Sequence, residues 1–182
     1  MASAEVLLHP VRLRVVAAFL GERTLTTAQL AAELGDVPPA SLYRHVAVLA
    51  GAGVLEVVAE RRVRAVVERS YRLAVPAAQI PPGEAAAMSP QQHLAGFMAY
   101  AAAMIAEVER YLTTGTPDPV GDGAGYRMAG MWLSDAEFAE MVAELAAVFG
   151  PRLANRPGPG RRRRNVYSVF VPGPAGVAPR EG

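Results

Sequence analysis

Between Thr26 and Ala52 the chain reads TTAQLAAELGDVPPASLYRHVAVLAGA, two short apolar-striped segments separated by a tight turn. No other stretch constrains the fold as much. In the second segment Leu42, Val46 and Leu49 recur at spacings of four and three. At about 100° per residue these positions share one helix face, which must be buried. Arg44 falls nearly opposite that face, with Ser41 and Tyr43 around it. A helix docked by its Leu/Val stripe therefore turns Ser41, Tyr43 and Arg44 outward. Such side chains suit phosphate oxygens and base edges, Arg above all through a bidentate pair with guanine. Pro38 and Pro39 stand in the first turn, where proline is tolerated. His45 flanks the stripe, so a packed ring and a phosphate contact are both open to it. The first segment is capped by Thr26 or Thr27, packs through Leu30 and Leu34 and closes at Gly35. Thr27 and Gln29 at its open end are candidate phosphate contacts.

The stretch after the second helix is rich in β-branched residues on both sides of Arg61, Arg62 and Arg64, from Val54 to Glu60 and from Ala65 to Leu73. It predicts a hairpin with a basic tip. Together with the two helices this resembles the ArsR-like winged helix-turn-helix regulators of bacteria. The resemblance rests on His9-Pro10-Val11-Arg12-Leu13-Arg14, on Leu25 to Ala31, on Leu42 to Val46 with Leu49, on Gly51 to Leu55, and on Tyr71-Arg72-Leu73. It covers roughly residues 5 to 75. It implies a DNA-binding winged helix in a transcription regulator, most often a repressor. On the reading of the residues themselves, Ser41, Tyr43 and Arg44 face bases and phosphates, His45 is a further candidate contact, and the wing arginines grip the adjacent backbone or minor groove. Metal-sensing members use cysteine pairs, and this chain has no cysteine. His9, His45 and His93 are far apart in sequence, so no metal site and no cofactor is expected. The absence of cysteine also excludes disulfides and thiol redox chemistry.

Net charge is only +1, and all 18 basic residues are arginine. Residues 1 to 75 hold nine arginines against seven acids, and the remainder nine against ten. Local placement, not total charge, must therefore build any footprint on a polyanion. The N-terminus lacks the basic region and apolar core of a signal peptide. Leu94 to Ala106 is the longest continuously apolar or small run in the uncharged stretch 85–106, well short of the roughly 20 residues of a membrane span. A cytoplasmic location is expected, with no membrane partner.

Residues 5 to 20 predict the first helix of the winged domain, with Val11, Val15, Ala18 and Phe19 toward the core. Arg12 and Arg14 are open between phosphate contact and pairing with Glu5 or Glu33. Residues 76–88 are rich in Pro and Ala and are taken as a linker. Ser89 then opens a long helix with Pro90 in its first turn and Gly115 past its end. Its apolar positions Leu94, Met98, Ala101, Ile105, Val108 and Leu112 step alternately by four and three, a heptad seam suited to homodimerisation. The competing reading is that this helix merely packs on the winged domain or on the C-terminal unit. Beyond a Gly/Asp/Pro loop, Tyr126 to Leu133 predicts a strand, Asp135 to Phe149 a helix capped by Ser134 and Glu137, and Asn165 to Val171 a second strand. Tyr126, Met128, Trp132 and Phe170 could line an apolar pocket for a hydrophobic small-molecule effector, or simply build a core. Arg161 to Arg164 admits three readings: a solvated loop neutralised by Glu137, Glu140 and Glu144, a DNA-backbone contact, or an anion site.

The expected fold is α+β and mainly helical: a winged helix-turn-helix domain over 1–75, a linker over 76–88, a dimerisation and effector-sensing region over 89–172, and a disordered tail over 173–182. No catalytic constellation is present. The expected function is sequence-specific binding of double-stranded DNA by a homodimeric regulator. A winged helix serving as a protein-interaction module is the alternative.

Overall fold

A computed structural model describes residues 3–63 and 66–173. It divides the chain into two compact units. The first holds residues up to Pro117 together with 154–156, and the second holds Asp118–Leu153 and the chain from Pro157 on.

The first unit opens with α1 (Ala4–Leu7) and α2 (Pro10–Phe19), where one continuous helix over 5–20 was expected. Pro10 explains the break, because it has no N–H to continue the ladder and fits the first helical position. His9 caps the new helix, its Nδ1 accepting from the Val11 N–H at 3.2 Å. A short strand β1 (Thr24–Thr26) leads into α3 (Thr27–Glu33). Here the Thr26 hydroxyl accepts from the Gln29 N–H, and Gln29 Oε1 accepts from the Thr26 N–H, a reciprocal capping box. After the turn comes α4 (Pro39–Gly51), whose exit into the next strand is made by Gly53 at φ 73°. That left-handed conformation favours glycine.

Strands β2 (Leu55–Val63) and β3 (Val66–Leu73) pair antiparallel as the expected hairpin. β1 adds to the outer side of β3, giving the order β1-β3-β2. One hydrophobic core joins these elements, with Val15, Phe19, Leu30, Leu42, Leu49 and Val54 fully buried. At about 1.5–3 kcal/mol for each large apolar side chain taken out of water, this cluster dominates the stability of the unit.

Residues 76–88 are not a free linker. Val75–Ala78 forms a 3-10 turn and α5 (Pro82–Ala87) follows, while Ala78 and Ile80 pack against the core. Glu84 Oε1 accepts from the Ala4 N–H at 2.7 Å, which ties this segment to α1. The chain then enters α6 (Pro90–Thr113), started by Ser89 and Gln92 in a second capping box. Gly96, Ala99 and Ala103 are its buried residues, and it packs against α2. The division between compact units consequently falls at Pro117 and not before α6.

In the second unit α7 (Asp135–Leu153) has the expected start, with Ser134 and Glu137 bonded reciprocally, but runs beyond Phe149 through Gly150 and Pro151. The two flanking strands do not form: 126–133 and 165–171 carry no regular structure. Isolated strands without a ladder partner leave their backbone groups unpaired, and Gly130 weakens the first. No described residue of this unit is buried. The expected tail lies outside the described residues except for Gly173.

Candidate nucleic-acid interface

The α4 helix is held as its periodicity requires. Leu42, Val46 and Leu49 are buried, while Tyr43 is 57% exposed and Arg44 is exposed. Arg44 Nη2 donates to the Ser41 hydroxyl at 3.4 Å, so the two outward polar side chains share one edge of the helix. His45 is half-buried, and its ring meets that of His9 with centroids 4.6 Å apart and planes tilted by 42°. Burial pushes His9 below the ordinary histidine range, and the charge of Arg12 adds to this. Burial also lowers His45, followed by the charges of His9, Arg12 and Arg44. Both imidazoles are therefore predominantly neutral at pH 7.

Around α3 the expected contacts divide. Thr27 is only 8% exposed, so its side chain is withdrawn from the candidate set: as the first helical residue it turns into the core. Gln29 is exposed, but its oxygen is engaged by the cap, leaving the amide NH2 as its outward donor. Arg14 pairs in bidentate fashion with Asp36, at 2.7 and 2.6 Å, and holds that carboxyl below its usual range. Arg23 pairs with Glu33. Arg12 Nη2 donates to the Glu5 carbonyl at 2.9 Å. Arg14 is thus structural, paired with Asp36 where Glu5 or Glu33 was expected.

On the β2–β3 hairpin, arginines and glutamates alternate across the two strands. Arg61 pairs with Glu68 at 3.1 Å, Arg69 with Glu60 at 2.8 Å and Arg72 with Glu56 at 3.4 Å. Exposed pairs of this kind contribute little to stability, but each carboxylate reduces the field its arginine presents to a phosphate. Arg62 is exposed and has no ion pair among the described residues. Arg64 lies outside the described residues.

The long helix serves two faces. Its small residues face α2, and a Cβ built on Gly96 would meet Leu8 Cδ1 at 2.6 Å. Its heptad positions are left open in the protomer: Leu94 is 60%, Met98 63% and Ile105 57% exposed, Leu112 is also exposed, and Ala101 and Val108 are half-buried. The surface against α2 and the heptad positions thus use different residues of the helix.

The second unit corrects two expectations. Arg162 pairs with Asp122, and Arg164 donates to the Asp122 carbonyl. Glu137 is occupied at its own helix start, where Ser134 holds its carboxyl below the usual range. The acidic α7 face is therefore not what Arg162 meets. Trp132 is 86% exposed, Tyr126 and Met128 still more open or comparable, and Phe170 touches Phe138 edge-on at 5.7 Å. Without the two strands, the four side chains expected to line a pocket face solvent within their unit.

Among the described residues no group of three or more His, Asp or Glu is placed to hold a metal ion, and no helix is long and apolar enough to cross a membrane. Residues 7–58 match a family model described as a helix-turn-helix domain. The chain carries a helix-turn-helix domain. The matched stretch runs from the end of α1 to the first half of β2 and takes in α3, the turn and α4. No curated protein matches the chain. In the sequence His9 stands in a family motif and among three histidines too far apart to suggest a metal site. Its contact with His45 has no signal in spacing, because 36 positions separate two side chains that tertiary packing brings together.

Proposed function

We propose that this protein is a sequence-specific DNA-binding transcription regulator that acts as a homodimer and represses by occluding its operator. The observation that carries the reading is the orientation of α4: its Leu42/Val46/Leu49 face is sunk in the core and its Tyr43/Arg44 edge is open, with half-buried Ser41 bonded to Arg44, beside a hairpin bearing Arg61 and Arg62. A helix so held can enter a major groove, with Arg44 at a base edge and Ser41 and Tyr43 on phosphates. Arg62 is the wing residue best disposed to grip the backbone.

The homodimer is supported by the α6 seam, where large apolar side chains stand in water at heptad spacing. One small module binds DNA weakly, whereas two held by a coiled seam engage paired half-sites. The ArsR-like subclass and the repressing sign rest on the sequence resemblance. No effector is assigned, because the side chains around Trp132 are open to solvent within their unit.

Selection from a pool of random duplexes at two salt concentrations, combined with the solution mass of the free protein, tests this reading. Enrichment of a palindromic site, with affinity falling steeply as salt rises and a dimer mass, is expected. Absence of enrichment at both salts would overturn DNA recognition.

A further inference from the structure

The His9–His45 contact places a titratable pair against the recognition helix, and the guanidinium groups that act on it, Arg12 and Arg44, are positive. His9 comes from the α1–α2 junction and His45 from α4, one residue past Arg44. Arg12, from the first turn of α2, acts on both rings, and Arg44 acts on His45. From α1, the charged residue Glu5 contributes its carbonyl, which anchors Arg12. The carboxylates nearest in sequence to these groups are engaged elsewhere or exposed: Asp36 is bound by Arg14, and Glu5 is exposed.

We propose that Arg12 and His45, with His45 positioned by His9, form a seat for a backbone phosphate of the DNA that takes up one proton as it is filled. The proposal rests on the DNA-binding reading and adds to it a seat and a pH dependence.

The two rings have different roles. His9 Nδ1 spends its lone pair on the Val11 N–H, so its neutral ring carries the proton on Nε2 and protonation would cost the α2 cap. His45 has no such commitment, and its half-buried ring keeps an edge toward solvent. His45 is therefore the proton acceptor and His9 the positioning residue whose ring fixes its orientation. In the free protein, burial and two guanidinium groups oppose a charge on His45. A phosphate brought within about 4–6 Å reverses the local sign, because an opposite charge favours the protonated form. The proton comes from solvent, no bond between heavy atoms is made or broken, and the imidazolium then donates to a phosphate oxygen.

Affinity for the selected operator duplex, measured from pH about 5.5 to 8 at constant salt in phosphate-free buffer, tests the seat across the range in which histidine titrates. Circular dichroism at each pH keeps account of the folded fraction. The wild type is expected to bind more tightly as pH falls, by up to about tenfold per pH unit for one proton. His45→Gln should flatten this profile. His9→Asn retains a capping side chain without the ring, so His45 is better hydrated and the midpoint should move to higher pH. His93→Gln, on α6, should leave the profile as it is. A flat wild-type profile, or His45→Gln with the wild-type slope, overturns the seat while leaving DNA binding intact. If no duplex binds at any pH, the DNA reading fails and the seat with it.

Discussion

Leu8 occupies the space that a side chain at position 96 would need: its Cδ1 lies 2.6 Å, and its Cγ 3.4 Å, from the place of a Cβ on Gly96. Glycine at this point lets α6 close onto the α1–α2 junction. Gly96→Ala asks the Leu8 side chain to turn, a modest strain offset by the roughly 1 kcal/mol by which alanine favours a helix over glycine. Its stability should stay within about 1 kcal/mol of wild type. Gly96→Leu cannot be absorbed by one rotamer, and overpacking should cost about 1–3 kcal/mol. Urea unfolding of the two variants measures the difference, and equal stabilities would show that the α6 contact yields.

The exposed seam gives a second expectation. Met98 and Ile105 are open in the protomer, so Met98→Glu with Ile105→Glu should leave the helix content and core packing of the first unit unchanged. In a dimer the same substitutions place four carboxylates in an apolar seam, where desolvation is costly. Light scattering should report a monomer, and operator affinity should fall because half-sites are no longer linked. A dimer mass retained by the variant would place the self-association surface elsewhere.

Legibility in the sequence followed how local each determinant was. The α4 stripe, the caps at Thr26, Ser89 and Ser134 and the β2–β3 hairpin each depend on residues within a few positions of one another, and each is where the pattern puts it. What depended on distant partners was not legible. β1 exists because β3 offers it an edge, Thr27 is buried because α3 turns it inward, and the wing arginines are paired because the register sets Arg61 opposite Glu68. The strands at 126–133 and 165–171 failed for the converse reason: their β-branched and aromatic residues have no ladder to join. The small-residue face of α6 was visible as composition, but its partner, α2, was not.

Arg44 should carry specificity and the wing should carry charge. Arg44→Ala removes an exposed side chain from α4, so the fold should persist while operator binding loses about 1–3 kcal/mol and discrimination at one base pair relaxes. Competition between the operator and a point-substituted duplex measures this, and unchanged discrimination would remove Arg44 from base readout.

Glu68→Gln acts in the opposite direction on the wing. It frees Arg61 from its 3.1 Å partner, an exposed pair whose loss should change stability by less than about 1 kcal/mol. Affinity for any duplex should rise, and the salt dependence should steepen as one more arginine meets the backbone. Equal salt slopes in the variant and the wild type would show that Arg61 does not reach DNA.

The histidine pair also makes the fold itself sensitive to pH. His9 and His45 are both held below the ordinary value of 6.5 in the folded chain, chiefly by burial. Between the folded values and about 6.5 the unfolded chain binds more protons than the native one, so unfolding free energy rises with pH in that window. The contribution is fully present above about 6.5 and is lost as pH falls through the folded values. Asp36, lowered by its bond to Arg14, loses its own contribution separately, as pH falls below its ordinary value of 3.8. Urea unfolding at a series of pH values should therefore show a decline setting in below about 6.5. His45→Gln should reduce that decline and leave the acid limb associated with Asp36 in place. A stability flat across the histidine window would mean that neither ring is disfavoured from charging in the folded protein, and the pair would then be a packing contact alone.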